Sequence, residues 1–299
     1  MNNYTAFGLQ ISSEQELPGL LPGNGNPEVT IRFGKVPENL PEPLKGKGVA
    51  YELNTGSFLL KVPGIANFLV SNGNEIVIEK HNRADDHDIA LFTINTPIGA
   101  LLYQRGCLPL HASAIAVNGG CAIFTGVSGA GKSTIFTSFH NHGYHVLSDE
   151  VCAITLSTNG EPYVQPGVAY TYLWRDVLDL MGKDVNKLKH RNNNPEKFKL
   201  LIEERFCQEA LPLKRIYVLT TKNTPGIEIE EIKGREKFLP IKQNAYRPRI
   251  GKEISNPASA FRMQTSIGNH AVIKRVARSL DIVDIEQLRE LIINDMNNG

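Results

Sequence analysis

The sequence lacks long apolar runs, a charge of one sign and more than a few cysteines. No stretch approaches 18 consecutive apolar residues, so we expect no transmembrane helix. Residues 1–15 have neither a basic start nor an apolar core, and we expect no secretory signal peptide. Lys and Arg number 32 against 31 Asp and Glu, a net charge of +1. This balance excludes strong attraction of the whole molecule to nucleic acid or to an anionic membrane surface.

The few cysteines predict neither a disulfide framework nor a zinc ribbon. Four of them are spread along the chain without a CxxC pair, at Cys107, Cys121, Cys152 and Cys207. Each lies in or near an apolar run, where a free cysteine behaves as a small buried hydrophobe. We therefore expect all four to be reduced, in a cytoplasmic protein.

The length and composition are those of a folded protein of about two domains. The chain has 299 residues, of which 41% are hydrophobic and 21% charged, and a domain commonly takes about 150 residues. We expect a β-rich domain that ends in a helix over residues 1–105 and a second domain over residues 106–299. The sequence leaves the oligomeric state open, and a homo-oligomer is one alternative.

Short strands separated by Pro- and Gly-rich turns are predicted in the first domain. The Asn72-Gly73 pair between two of them is a hairpin signal. A closing helix is expected with Thr96 as its cap, Pro97 in its first turn and Gly106 after its end. The predicted strands are residues 29–33, 51–53, 58–62, 68–70 and 75–78.

The second domain begins with a hairpin around Asn118-Gly119 and then mixes helices and strands. A polar, basic stretch at Lys183–Lys199 is expected to be a mobile loop, either a solvated surface or a contact for an acidic peptide or a nucleotide. The last helix is expected from about Asp284, with an apolar stripe of Ile285, Leu288, Leu291 and Ile292. The other predicted elements are strands at 112–117, 120–125, 144–147 and 216–220, and helices at 134–142 and 172–181.

The strongest motif is a glycine loop between a predicted strand and a predicted helix. Residues 126–133 read GVSGAGKS and match GxxxxGK[ST] at every fixed position. Glycines let the backbone wrap around phosphate oxygens, and the helix dipole favours the same phosphates. Lys132 can reach the β- and γ-phosphates, and the Ser133 hydroxyl can bind Mg²⁺. The candidate residues for ATP are Gly126, Ser128, Gly129, Ala130, Gly131, Lys132, Ser133 and Thr134.

An acidic pair follows the next predicted strand. Asp149 and Glu150 come only 17 and 18 positions after Lys132, and neighbouring strands of a parallel sheet end at the same edge, where ligands gather. A carboxylate at this edge can hold Mg²⁺ or take the proton of an acceptor hydroxyl. The early position of the pair favours a kinase over a motor-type ATPase.

Several basic residues are weaker candidates for the same site. His111 precedes the first hairpin strand, where it either contacts Asp149 or phosphate or is an ordinary core histidine. Arg105, Arg247 and Arg249 are each either a phosphate-neutralising arginine or a surface residue.

These features together resemble the HPr kinase/phosphorylase catalytic domain over about Leu110–Val151. The shared pattern is a short hairpin, His-Ala, a GxSGxGKS loop and an acidic pair at the next strand end. The resemblance implies a mixed α/β fold with flanking helices, ATP and Mg²⁺, Asp149 as the general base, Glu150 as the metal partner and His111 as an active-site histidine. The family has Asp-Asp where this chain has Asp149-Glu150, and its downstream Gly-rich signature is not visible around Gln165-Pro166-Gly167.

The N-terminal half does not look like the N-terminal domain of HPr kinase. With Tyr4-Thr-Ala-Phe-Gly-Leu and Ser13-Glu14 followed by Leu17-Pro18, it is similar to the HPr-kinase-like proteins of ribosomal-peptide clusters, including lasso-peptide precursor kinases. That resemblance implies phosphorylation of a serine on a ribosomal precursor peptide or small protein. The alternatives are a nucleotide-gated binding module without transfer and a kinase for free serine or a sugar.

Overall fold

The chain forms three β-sheets and eight α-helices in the part that the computed structural model describes, residues 1–191, 194–202, 204–279 and 285–298. Two sheets have nine strands each and the third has three. The fold is a mixed α/β fold, as expected. None of the helices in these ranges is long and apolar enough to cross a membrane.

The first sheet takes every strand up to residue 80. Its strand order is β3-β1-β2-β4-β9-β8-β7-β6-β5. Strands β2, β4 and β9 are parallel neighbours, and the other pairs are antiparallel. The strands are β1 (Asn2–Ala6), β2 (Leu9–Ser13), β3 (Leu21–Pro22), β4 (Val29–Phe33), β5 (Gly46–Lys47), β6 (Tyr51–Leu53), β7 (Ser57–Val62), β8 (Ala66–Ser71) and β9 (Glu75–Lys80).

Two helices, α1 (Asp86–Ile94) and α2 (Thr96–Gln104), follow this sheet where one was predicted. Helix α2 already includes Thr96, so the expected cap at that residue was wrong and Asn95 takes the capping position. Helix α1 was missed because its buried residues are not confined to one stripe; they are Ile89, Ala90, Leu91, Thr93 and Ile94.

The second sheet contains the strand that leads into the glycine loop. Its order is β10-β14-β15-β19-β12-β11-β13, and β21 pairs with β19 and β20. Strands β12, β19 and β21 are parallel neighbours. The strands are β10 (Leu108–Leu110), β11 (Ala112–Val117), β12 (Gly120–Gly126), β13 (Val146–Ser148), β14 (Cys152–Leu156), β15 (Pro162–Val164), β19 (Leu211–Lys222), β20 (Ile227–Glu231) and β21 (Val272–Ser279).

The topology brings several strand ends to one edge of this sheet. Strand β13 runs in the same direction as β12, because both pair antiparallel with the β11 strand between them. The carboxyl ends of β12, β13, β19 and β21 therefore meet at the edge where β11 begins. This edge carries the candidate site.

Helix α3 (Lys132–Asn141) joins β12 to β13, and a C-terminal helix, α8 (Ile285–Asn297), packs against it. On α8, Leu288 and Ile292 are buried as the stripe predicted, whereas Leu291 is 36% exposed. Asp284, the expected start, lies outside the described residues. The remaining helices are α4 (Arg175–Leu180), α5 (Phe238–Gln243), α6 (Pro248–Ile254) and α7 (Pro257–His270), with 3₁₀ turns at Val185–Lys187 and Gly234–Lys237.

The third sheet corrects two predictions. Its strands are β16 (Tyr170–Trp174), β17 (His190–Arg191) and β18 (Asn194–Leu201), in the order β16-β18-β17. The helix expected over 172–181 is therefore a strand up to Trp174 and helix α4 only afterwards. The basic stretch expected to be a loop contains β17 and most of β18, because residues 197–201 pair with β16.

The N-terminal sheet packs against the second half of the chain through the segment before and within β16. One hydrophobic cluster includes residues of the first sheet together with Tyr170 and Tyr172 of β16. Backbone hydrogen bonds join Phe7 N to the Pro166 carbonyl oxygen (2.6 Å) and Ala169 N to the Gly19 carbonyl oxygen (2.8 Å). The position of β16 therefore depends on both parts of the chain. All four cysteines are free, as expected, but only Cys121 and Cys152 are buried, whereas Cys107 and Cys207 are half-buried.

Candidate active site at the glycine loop

The glycine loop needs its glycines for conformation and space. Gly126 has a φ of +145°, and a Cβ there would lie 2.5 Å from the Leu219 carbonyl oxygen. Gly131, with a φ of +98°, takes the capping position at the start of α3. Non-glycine residues rarely adopt these angles. The loop therefore brings its backbone close to β19 and leads directly into the amino end of a ten-residue helix, where N–H groups have no intrahelical partners.

Lys132 lies inside the curl of this loop. Its Nζ donates hydrogen bonds to the carbonyl oxygens of Gly126 (3.0 Å) and Val127 (3.1 Å). The residue is only 7% exposed, and this burial lowers the pKa of its amine. Ser128 and Gly129 are exposed on the outside of the loop. The ammonium group thus lies at the Gly126 end of the loop.

Asp149 lies just after β13 and is buried, with an exposure of 5%. The Ser113 hydroxyl donates to Oδ1 and the Thr171 hydroxyl donates to Oδ2, each over 2.5 Å. Ser113 belongs to β11 and Thr171 to β16. Two strands from different sheets therefore fix the orientation of one carboxylate.

Glu150 faces a different environment from its neighbour. It has a left-handed φ of +70°, and it lines a cleft of about 780 Å³, named here the first cleft. Because the backbone turns at Glu150, the two carboxylates of the pair are presented in two different surroundings. The other residues that line the first cleft include His111, Gly126, Val127, Ser128, Thr220, Thr221, Tyr246, Arg247 and Pro248.

His111 lines the first cleft as an uncharged side chain. Its backbone N–H donates to the Asn244 carbonyl oxygen over 2.8 Å, and its ring meets the Tyr246 ring edge-on. Burial lowers the pKa of the imidazole to about 4; the nearby cations Lys132, Lys197 and Arg247 add to this effect, and Asp149 opposes it. The imidazole is therefore neutral near pH 7 and can donate or accept a hydrogen bond there.

The three arginine candidates lie in different parts of the structure. Arg247 lines the first cleft, with its guanidinium carbon 5.7 Å from the centroid of the Tyr246 ring. Arg105 instead forms a 2.8 Å ion pair with Glu28 and a hydrogen bond to the Gly73 carbonyl oxygen, so its role is structural. Arg249 does not line this cleft; its charge acts on Tyr51 of the first sheet.

Sequence reasoning missed Arg278, at the carboxyl end of β21. Its Nη2 donates to the Ala130 carbonyl oxygen over 3.3 Å, within the glycine loop. The two residues are 148 positions apart, so no local motif joins them. The only signal available was that a strand end in the same parallel sheet reaches the same edge. Arg278 lines a second cleft of about 880 Å³, on the other side of the loop.

The candidate ligands for a magnesium ion are oxygen-bearing side chains around the glycine loop. Among the described residues there is no cluster of three or more His, Cys, Asp or Glu side chains that could hold a metal ion alone. Mg²⁺ is usually bound by one or two carboxylates together with substrate phosphates. Ser133 lies in the first turn of α3 and Glu150 lines the first cleft. Asp149 is next to Glu150, but both of its oxygens accept hydrogen bonds from hydroxyl groups.

Comparisons with known proteins add a distant structural similarity. No family model and no curated protein matches the chain. Among solved structures, the chain is similar to the Hpr(Ser) kinase/phosphatase from Coxiella burnetii, with 12% sequence identity and a TM-score of 0.33. The match covers 64% of this chain and 91% of that chain. Similarity at this level does not assign an activity to this chain.

Proposed function

We propose that this protein is an ATP- and Mg²⁺-dependent kinase that phosphorylates a serine hydroxyl of a peptide or small protein. The observation that carries the proposal is the Lys132 ammonium inside the glycine loop, bonded to the Gly126 and Val127 carbonyl oxygens. A cation and a helix amino end at one loop form a binding site for a chain of phosphates.

The proposed roles follow from the position of each group. The amides from Gly126 to Thr134 surround the phosphates, and Lys132 leaves the loop carbonyls to contact the β- and γ-phosphates. Arg278 supports the loop through Ala130. Mg²⁺, held by Ser133 and Glu150 with assistance from Asp149, would neutralise charge on the phosphates.

In the transfer step the acceptor oxygen forms a bond to the γ-phosphorus, and the bond from that phosphorus to ADP breaks. Asp149 takes the proton of the acceptor hydroxyl. Both of its oxygens already accept one hydrogen bond, but each carboxylate oxygen has a second lone pair for the substrate. A carboxylate fixed in this way acts mainly through its position. His111, being neutral, contributes a hydrogen bond rather than a charge.

The acceptor that we propose is a ribosomal precursor peptide of the lasso-peptide kind, in a reducing cytoplasm. The resemblance of the N-terminal half to HPr-kinase-like precursor kinases supports this choice, and the four free cysteines agree with the compartment. The first cleft, of about 780 Å³ and lined by Glu150 and Arg247 among others, is where we place the serine-containing segment in this proposal.

The test is incubation with Mg²⁺, γ-labelled ATP and synthetic peptides that correspond to those encoded beside the gene. We expect label on a serine of one peptide, located by tandem mass spectrometry. The Lys132→Ala variant should lose ATP binding in calorimetry as well as transfer, while its circular dichroism stays unchanged. Lys45→Ala, at an exposed lysine directly before β5, is the matched control and should behave as wild type.

The outcomes separate the alternatives. ATP binding without label on any peptide would favour a nucleotide-gated binding module, and label on free serine or a sugar would favour a small-molecule kinase. Unchanged ATP affinity in Lys132→Ala would show that the glycine loop is not the nucleotide site.

A further inference from the structure

The glycine loop separates two clefts with different linings. The first cleft contacts Gly126, Val127 and Ser128, at the end of the loop where the Lys132 ammonium lies. The second cleft contacts the other end, at Gly129–Gly131 and Thr134. A phosphate chain bound in the loop would therefore have one end at each cleft.

The orientation of that chain follows from Lys132. In loops of this type the lysine reaches the β- and γ-phosphates, and the loop amides surround the α- and β-phosphates. Because the Lys132 Nζ is at the Gly126 end, the γ-phosphate belongs at the first cleft, beside Glu150 and Arg247. The α-phosphate and whatever is attached to it then point toward the second cleft.

The second cleft has an aromatic and apolar part that a phosphate chain does not need. That part consists of Trp174 at the end of β16, Val177 and Met181, and Ile285 and Leu288 of α8. The rest of the lining is polar or charged and includes Arg175, Asp176, Asp179, Glu196, Arg278, Glu286 and Arg289. Its volume of about 880 Å³ is within the range of small-molecule sites. A flat aromatic ring can contact the apolar part, while polar groups of the same ligand meet the charged residues.

Trp174 is the only tryptophan of the chain and is 44% exposed. The Lys197 ammonium lies 4.9 Å from the centroid of its ring, and Lys197 pairs with Trp174 in the register of β16 and β18. This contact holds the indole at the edge of the cleft with part of its surface open. The nearby cation also suits a ligand that carries phosphates.

We propose that the second cleft is the nucleoside site and that Trp174 stacks on the base of the bound nucleotide. The proposal rests on the nucleotide-binding function proposed above. Stacking on Trp174 would make the affinity for the nucleotide depend on its base as well as on its phosphates. The protein should therefore bind ATP more tightly than a bare triphosphate.

The experiment uses the full chain in Mg²⁺ buffer, with ATP and inorganic tripolyphosphate as probes. With wild type, ATP should change the tryptophan emission and tripolyphosphate should leave it nearly unchanged. In calorimetry, Trp174→Ala should weaken ATP binding by about 5- to 150-fold, the range that stacking of a base on an aromatic side chain gives. The same variant should bind tripolyphosphate as wild type does.

Two further variants complete the test. Trp174→Phe keeps an aromatic face and should bind ATP nearly as wild type does. Phe261→Ala removes another exposed aromatic side chain, 66% exposed on α7, and should have no effect. If wild type binds ATP but Trp174→Ala binds it equally well, the assignment of the second cleft as the nucleoside site is wrong and the kinase proposal stands. If wild type binds no ATP, both proposals fail.

Discussion

The Thr171 hydroxyl donates a 2.5 Å hydrogen bond to Asp149 Oδ2, which joins a strand of the third sheet to the acidic pair beside the glycine loop. Two residues before Thr171, the Ala169 N–H donates to the carbonyl oxygen of Gly19 in the N-terminal part. The N-terminal part of the chain thus helps to place a group that orients Asp149. It contributes to the site by packing.

Thr171→Val should lower kcat for phosphoryl transfer by roughly 10- to 100-fold, because it removes one of the two hydroxyls that position Asp149. The KM for ATP should hardly change, since Thr171 does not touch the glycine loop. The free energy of unfolding should fall by about 1.5–3 kcal/mol, the usual contribution of a hydrogen bond to a charged group. Thr171→Ser, which keeps the hydroxyl, should restore most of the rate; equal rates for Val and wild type would contradict a positioning role.

Asp149→Asn should reduce transfer by about 10²- to 10⁴-fold, the contribution of a positioned general base. The amide keeps the size of the carboxylate and can still bond to the Ser113 and Thr171 hydroxyls, which rotate to donate or accept. Circular dichroism and ATP affinity should therefore be nearly unchanged, and single-turnover kinetics gives the rate.

Glu150→Gln is the matched comparison for that variant. Since Glu150 lines the first cleft and is proposed to hold Mg²⁺, this change should raise the Mg²⁺ concentration needed for half-maximal activity more than it lowers the rate at saturating Mg²⁺. The reverse result, a larger rate loss at Glu150 than at Asp149, would exchange the two roles.

His111 should make the protein less stable as the pH falls from about 6.5 to about 4. The folded state keeps the pKa of His111 at about 4, whereas the unfolded chain takes up a proton near pH 6.5. The unfolded state therefore binds more protons in this window, and stability rises with pH through it. The contribution of this one group is at most about 3.4 kcal/mol.

Urea unfolding of wild type and His111→Gln at several pH values between 4 and 7.5 tests this. The stability of wild type relative to the variant should fall as the pH is lowered through the window. His145→Gln, at an exposed histidine, serves as the control and should follow wild type. Parallel curves for wild type and His111→Gln would mean that His111 titrates normally in the folded protein.

The elements that were predicted correctly are those whose conformation depends on residues close to them in the chain. The strands Val29–Phe33 and Tyr51–Leu53 have the predicted bounds, because their apolar patterns end at turn residues. Both hairpins occur where Asn72-Gly73 and Asn118-Gly119 were noted, and all four residues have positive φ, as tight hairpin turns require. The strand, glycine loop and helix around Lys132 were also predicted, since the loop's conformation depends on its own glycines.

Elements that depend on distant partners were predicted poorly. Residues 172–174 were expected to begin a helix over 172–181, but they belong to strand β16 because residues 197–201 pair with it. The basic stretch Lys183–Lys199 was expected to be a loop. Most of strand β18 lies within this stretch, and β18 depends on its pairing with β16, which no local pattern reveals.

By itself the sequence determined the glycine loop, the lysine inside it and the presence of an acidic pair at the next strand end. Each of these depends on residues that are close in the chain and on backbone angles that glycine permits. Tertiary structure alone decided that Ser113 and Thr171 orient Asp149, that Arg278 contacts the loop and that Trp174 lines the cleft behind it. These groups come from three different strands, β11, β16 and β21, and only the pairing and packing of the sheets brings them to the loop and the acidic pair.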